Sequence, residues 1–166
     1  MKDGRFSYRF LARASLLTAL ALVFSYVEAL IPFSIGIPGV KLGLANIVIV
    51  YALYTLGERY AVLVNLCRVV LSALLFGSMF SMLYALSGAV LSMTVMLLLK
   101  RWNIFSVCAV SAAGGVFHNL GQIVTAMLVV KTPQIILYFP VLLFSGIAAG
   151  TVNGLIAALC MRHVRT

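Results

Sequence analysis

Charged side chains are scarce in this chain of 166 residues, and acidic ones are almost missing. Charged residues make up 9% of the sequence, against about 25% in a typical soluble domain. Asp3, Glu28 and Glu58 are the three acidic residues, and they face twelve lysines and arginines. So few charges cannot cover the surface of a soluble domain, which excludes an ordinary cytosolic enzyme and a disordered tail. Because the basic excess lies in an apolar chain, it does not predict a nucleic-acid partner either.

Residues that catalyse reactions or hold cofactors are equally scarce. The sole aspartate lies in the N-terminal tail, so no aspartate cluster can hold magnesium against a diphosphate. The phosphate-binding pattern G-x-x-x-x-G-K-[S/T] is missing, and no Ser-His-Asp set is available. Cys67, Cys108 and Cys160 are odd in number and widely spaced, which excludes a disulfide framework and a cysteine metal site. We therefore expect no catalytic residue, no metal and no cofactor in this chain.

Apolar residues, in contrast, make up 64% of the sequence, and the mean hydropathy is +1.17. A helix needs about 20 apolar residues to cross a hydrocarbon core about 30 Å thick. Residues 1–31 have the basic start of a signal peptide, but no clear small-x-small cleavage site precedes Pro32, so we assign them to a first span. We predict an all-α integral membrane protein, a single membrane domain over residues 1–166, with six transmembrane helices at about 10–31, 42–57, 60–76, 79–99, 104–130 and 134–161.

The basic residues predict the orientation of these spans. Cytoplasmic loops of membrane proteins are enriched in lysine and arginine. If the N-terminus is cytoplasmic, the residues on that side are Lys2, Arg5, Arg9, Arg13, Arg59, Lys100, Arg101, Arg162 and Arg165, whereas Lys41 and Lys131 lie outside and Arg68 lies within a span. Nine basic residues against two predict that both termini are cytoplasmic.

Polar and ionisable residues inside the predicted spans need an explanation, because each charged one costs about 2.5–3.5 kcal/mol on insertion scales. Those in the outer half or at the midplane are our candidate substrate-binding residues: Glu28, Lys41, Asn46, Arg68, His118, Asn119, Gln122 and Tyr138. Helical spacing places Asn65, Arg68 and Ser72 on one stripe, and His118, Gln122 and Thr125 on another. The inner half offers mainly Asn65 and Asn153.

Two interpretations of these polar residues remain open. Glu28 can pair with Lys41 or Arg68 and simply staple the bundle, and His118 with Asn119 can serve as interhelical hydrogen-bonding groups. Alternatively, residues from five spans converge on a pocket. Two permanent cations and one carboxylate leave a surplus positive charge there, which favours a small-molecule substrate with an anionic group.

Two further predictions concern the small residues along the first span and the loop that follows that span. Ala14, Thr18, Ala21 and Ser25 follow one another at spacings of four, three and four, which lets another helix approach closely. That helix can belong to this chain or to a partner, so the stripe predicts either an internal contact or a docking face. The Pro- and Gly-containing loop 32–40 can form a lid over a pocket or an ordinary interfacial connection.

Four strings of the sequence together resemble one known family. They are Ser25-Tyr26-Val27-Glu28, Pro38-Gly39-Val40-Lys41-Leu42-Gly43-Leu44-Ala45-Asn46, Arg68 with Leu75-Phe76-Gly77, and His118-Asn119-Leu120-Gly121-Gln122. The chain resembles, over roughly residues 10–160, the Gx transporter family, whose members are often labelled heptaprenyl diphosphate synthase component I.

The resemblance implies a fold related to the substrate-binding S components of energy-coupling factor (ECF) importers. Those are six-helix proteins of the bacterial cytoplasmic membrane that capture a vitamin-like molecule from outside. They then dock on a membrane coupling subunit driven by ATPases on separate chains. Small residues of the first helix serve that docking, and Ala14, Thr18 and Ala21 are the counterparts here.

The synthase label implies a different role. Prenyl chain elongation binds diphosphates through magnesium and aspartate clusters, which this chain lacks. Our leading hypothesis is therefore an ECF-type substrate-capture subunit. The alternative is a non-catalytic membrane accessory in isoprenoid-quinone metabolism, and a third reading is a small channel that transports without partners.

Overall fold

The structure, a computed structural model, describes residues 8–30 and 42–164, and all regular structure in them is helical. The elements are α1 (Tyr8–Leu30), α2 (Leu44–Thr55), α3 (Glu58–Phe76), α4 (Met79–Trp102), α5 (Val107–Val130), a short 3-10 helix (Pro133–Tyr138) and α6 (Phe139–Val164). The all-α class predicted from the sequence is confirmed.

Five of these helical segments are long and apolar enough to cross a membrane, so the chain is a multi-pass membrane protein. They coincide with five of the predicted spans. The predicted second span, 42–57, corresponds to α2, which has only 12 residues. At about 1.5 Å per residue α2 is about 18 Å long, which is shorter than the hydrocarbon core. The count of six spans therefore stays a prediction.

The helices end where the sequence carries local start and stop signals. Ser78 caps α4 in a reciprocal box: its Oγ accepts from the Ser81 N–H at 3.1 Å, and the Ser81 Oγ accepts from the Ser78 N–H at 2.8 Å. Ser106 caps α5 by accepting from the Ala109 N–H. Asn103 and Lys131 take left-handed conformations after α4 and α5, a common way to end a helix.

The six helices form a closed ring in the order α1, α2, α6, α5, α4, α3, with α3 packing again on α1. Short connections make the successive helices from α2 onward antiparallel, and the Gly43–Glu28 hydrogen bond places the start of α2 beside the end of α1, so the ring has two ends. We call one the Leu30 end, where α1 and α3 finish and α2 and α4 begin. The other is the Trp102 end, which holds the basic residues Arg9, Arg13, Arg59, Lys100, Arg101 and Arg162.

An apolar floor closes the ring on the side of the Trp102 end. Every helix contributes to this buried cluster, whose members are Ala14, Ile49, Val50, Ala52, Leu53, Ala61, Val64, Met93, Met96, Val110 and Ala157. Ile49 and Leu53 are among the largest fully buried side chains, and both lie on α2. Side chains of the short helix α2 therefore supply much of the packing in this half of the ring.

A lysine of α4 holds the end of α2 in place. The Lys100 Nζ donates a hydrogen bond of 2.7 Å to the carbonyl oxygen of Leu53 and lies 5.4 Å from the ring centre of Tyr54. The last carbonyls of a helix lack partners within the helix and carry partial negative charge, so a cation there is stabilising.

Replacing Lys100 by methionine should lower stability by about 2 kcal/mol, because a hydrogen bond from a charged donor to a partly buried carbonyl is lost. The expected fall in Tm is about 5 °C, measured by thermal unfolding of the purified protein in detergent. Arg162→Met is the matched control, since Arg162 is exposed near the end of α6. Equal Tm values for the two variants would contradict this role.

Glycines bring α5 and α6 into close contact. Gly146, Gly150 and Gly154 repeat every four residues on α6 and face the backbone of α5. A Cβ on Gly150 would lie 2.6 Å from the Ser111 carbonyl oxygen, and one on Gly115 would collide with the carbonyl of Gly146. Small residues at this spacing permit close approach of membrane helices. The α5–α6 contact is the most extensive in the ring.

The small-residue stripe of α1 makes internal contacts. Ala14 and Ala21 are 2% and 0% exposed, and they pack into the apolar interior beside α2. The Thr18 hydroxyl donates to the Ala14 carbonyl on its own helix. The internal contact considered from the sequence is therefore present, and the docking role of Ala14, Thr18 and Ala21 stays a prediction.

Candidate functional site

A cavity of about 430 Å³ extends from the Leu30 end of the ring down to the apolar floor, whose Val50 and Met96 form part of its lining. All six helices contribute to its wall. Its polar lining residues are Ser25 and Glu28 of α1, Asn46 of α2, Arg68 and Ser72 of α3, Ser81 and Ser92 of α4, Ser111, His118, Asn119 and Gln122 of α5, and Asn153 of α6. The volume lies within the range of small-molecule sites in proteins.

The structure brings six of the eight candidate substrate-binding residues to this cavity: Glu28, Asn46, Arg68, His118, Asn119 and Gln122. Tyr138 is not brought there, because it ends the short 3-10 helix and is 55% exposed. Lys41 and the predicted lid loop, residues 32–40, lie outside the described residues. That the six bind a substrate stays a prediction.

Three helices meet at Gly43, which lines the cavity. The Gly43 N–H donates a hydrogen bond of 2.6 Å to Oε1 of Glu28, which lies in the last turn of α1. The Asn153 Nδ2 of α6 donates to the carbonyls of Leu42 and Gly43 at 3.3 and 3.0 Å. Gly43 has a φ of +69°, a conformation that residues with a Cβ rarely adopt. The start of α2 is thus held by polar groups from both of its neighbours in the ring.

Arg68 lies on the cavity wall with part of its guanidinium unused. Its Nη2 donates to the Asn65 Oδ1 at 3.0 Å, one turn earlier on α3. Its Nε is buried and has no hydrogen-bond partner in the described part of the chain. Among the described residues, the guanidinium forms no ion pair with Glu28; the ion pair present there joins Arg101 and Glu58 at the Trp102 end. Glu28 and Arg68 thus form no direct ion pair, although their opposite charges still attract each other across the cavity wall.

The side chains of α5 have mixed roles. The Asn119 Nδ2 donates a hydrogen bond of 2.7 Å to the Leu142 carbonyl of α6, which matches the interhelical role considered from the sequence. His118 packs against Gly88 of α4. A Cβ added to Gly88 would lie 3.0 Å from two ring atoms of the imidazole. Gln122 lines the cavity one turn further on. Asn119 thus joins α5 to α6, while His118 and Gln122 are part of the cavity lining.

The deep part of the cavity contains residues that sequence reasoning missed. Ser92 and Ser111 are 6% and 3% exposed, and they line it together with Asn153, a polar residue that the sequence predicts in the inner half of the membrane. Single serines in apolar helices give no signal of their own. The four-residue glycine repeat of α6, however, predicts a close helix contact beside them.

The cavity can bind a small molecule through fixed polar groups in an apolar bundle. In the described ranges, no cluster of three histidine, cysteine, aspartate or glutamate residues is placed to hold a metal ion. The lining offers one guanidinium, one carboxylate, one imidazole and several amides and hydroxyls. In a water-poor site, such groups orient a ligand by hydrogen bonds and charge.

Replacing Gly43 by alanine should reduce small-molecule retention by the cavity. The added Cβ would lie 3.2 Å from the Nδ2 atoms of both Asn46 and Asn153, and the positive φ adds strain of about 1–2 kcal/mol. Gly57→Ala is the control: Gly57 also has a positive φ, +97°, but open space surrounds it. Mass spectrometry of retained small molecules should show a loss for Gly43→Ala alone. A similar loss in both variants would mean that backbone strain, and not the cavity wall, is responsible.

Comparison with known proteins identifies one family. A family model described as "Heptaprenyl diphosphate synthase component I" matches residues 17–160, which is most of the chain. The match confirms the family label that the sequence resemblance carries. No curated protein and no solved structure matches the chain.

Proposed function

The chain belongs to the heptaprenyl diphosphate synthase component I family, and from that premise we propose that it is a non-catalytic, substrate-binding membrane subunit of an ECF-type importer. In this proposal α2 completes a set of six spans, and both termini lie in the cytoplasm of a bacterial cell. The cavity then opens toward the exterior, and a vitamin-like or anionic molecule enters from that side. A membrane coupling subunit and ATPases on separate chains supply the energy.

One observation carries this proposal: a cavity of about 430 Å³ is lined by polar groups from all six helices at one end, while an apolar floor closes the other. A capture subunit needs a binding site that is accessible from one side. The asymmetry of the basic residues supports the orientation, because they gather at the Trp102 end. The missing phosphate-binding pattern agrees with an energy source on another chain.

The family name favours a second candidate, a membrane accessory for a soluble prenyl diphosphate synthase. In that role the chain would anchor or regulate a catalytic partner. Among the described residues, Glu28 is the one carboxylate in the cavity lining, and the sequence has no aspartate cluster. Diphosphate chemistry would therefore take place on the partner and not within this chain.

Two measurements separate these functions. Mass spectrometry of the purified chain should detect a small molecule at a defined stoichiometry, and crosslinked pull-downs should recover a membrane coupling subunit with ATPases. Recovery of a soluble prenyl synthase, with altered product chain length after deletion of this chain, would favour the accessory role. Transport by the isolated chain in liposomes would instead indicate a channel.

A further inference from the structure

Two side chains of opposite charge in the cavity lining, Arg68 and Glu28, have hydrogen-bonding atoms that the described residues do not use. Among the lining residues that the structure describes, Arg68 and Glu28 carry the formal charges, and they do not pair with each other. Each is held on one side by a protein group, Arg68 by Asn65 and Glu28 by Gly43. Each therefore keeps capacity for a group that is not part of the described chain.

The unused capacity of Arg68 requires an acceptor. Its Nε–H is buried without a partner, and a buried donor that lacks an acceptor costs free energy. A planar guanidinium binds a carboxylate through two parallel N–H bonds better than it binds single acceptors. The Oγ of Ser25 is a second buried group without a partner in the described ranges, and it lines the same cavity. These atoms point to a flat anionic group such as a carboxylate.

The unused capacity of Glu28 requires a donor. Its Oε1 accepts from the Gly43 N–H at 2.6 Å, and Oε2 accepts no hydrogen bond from the described residues. An ionised carboxylate can only accept hydrogen bonds, so the complementary ligand group is an ammonium or another N–H donor. A ligand with negative charge alone would be repelled by Glu28 in an apolar environment, where charges interact strongly.

We infer that the cavity selects an amphoteric small organic molecule, with a carboxylate bound by Arg68 and a cationic or N–H donor group bound by Glu28. This inference rests on the proposed capture function and deepens it by naming the substrate class. It also narrows the sequence-based expectation of an anionic substrate. A prenyl diphosphate falls outside this class, because it carries several negative charges and no donor.

Three probes of nearly equal shape test the inference on the full-length chain in detergent. They are para-(aminomethyl)benzoate, which carries both charges, para-methylbenzoate, which carries the anion, and para-methylbenzylamine, which carries the cation. Kd values from probe-dependent thermal unfolding should favour the doubly charged probe by about tenfold over each singly charged one, as expected for one charged hydrogen bond.

Variants assign this preference to the two residues. Glu28→Gln should bind the doubly charged probe no better than para-methylbenzoate, because the amide retains an acceptor for the Gly43 N–H but loses the charge. Arg68→Gln should bind it no better than para-methylbenzylamine. Arg68→Lys keeps a cation without the Nε–H and should be intermediate, which covers the case in which Arg68→Gln fails to fold. Arg59→Gln, an exposed arginine of the same helix, should behave as wild type.

The outcomes are distinct. Any one of three results would overturn the inference. They are equal Kd values for para-methylbenzoate and the doubly charged probe, a preference that survives Glu28→Gln, and no response to any probe. If the wild type holds a small molecule that has no donor group, the capture function stands and the inference fails. If the predicted preferences hold but no coupling partner is recovered, the ligand class stands and the importer function fails.

Discussion

Arg68→Ala should reduce the affinity of the cavity for its retained small molecule by about thirtyfold or more. Truncating one partner of a buried charged contact typically costs 2–5 kcal/mol, roughly a thirtyfold or greater change in Kd. The measurement is the molar ratio of co-purified small molecule to protein, determined by mass spectrometry after equal washing of each variant.

Arg59→Ala is the control for this experiment, because Arg59 lies on the same helix but is exposed at the Trp102 end. Its molar ratio should equal that of the wild type. Unchanged retention in Arg68→Ala, in a preparation whose Tm matches the control, would remove Arg68 from the site. A loss in both variants would point to a general effect of charge on purification.

Gly150→Val should destabilise the protein by about 3 kcal/mol, the largest expected effect on folding. Its Cβ would lie 2.6 Å from the Ser111 carbonyl oxygen and 2.7 Å from the Ala112 Cα, and these are backbone atoms that cannot move without separating the helices. The expected fall in Tm is about 10 °C, measured in detergent by size-exclusion chromatography after heating.

Ala148→Val provides the comparison, since Ala148 is exposed on the same helix and its enlargement meets lipid or detergent. Its Tm should stay close to that of the wild type. If Gly150→Val has an equally unchanged Tm, the α5–α6 contact is looser than the glycine repeat indicates.

Much of the fold could be predicted because the bilayer imposes simple rules. Long apolar runs predicted the five long helices, whereas their exact ends depend on local caps such as those of Ser78 and Ser106. The length of α2 could not be predicted in the same way. Apolar residues also precede Leu44, the first residue of α2. The helix does not extend to them, because Gly43 adopts a left-handed conformation that is stabilised by contacts with α1 and α6.

The site was predictable where polar groups are costly. Glu28, Arg68 and His118 stand out because a charge or imidazole within a span needs a reason. Asn153 was not among the candidates, because depth inferred from the sequence does not reveal how far a cavity extends along the ring. The small residues of α1 were ambiguous, since a close contact within the chain and a docking face require the same side chains.

The apolar floor has a directional consequence. Its members come from all six helices, and the contacts between α4, α5 and α6 are more extensive than those that join α3 to α4 and α2 to α6. Among the described residues, this buried cluster lies between the cavity and the Trp102 end. The less extensive α3–α4 and α2–α6 contacts therefore divide the ring into an α1–α3 half and an α4–α6 half.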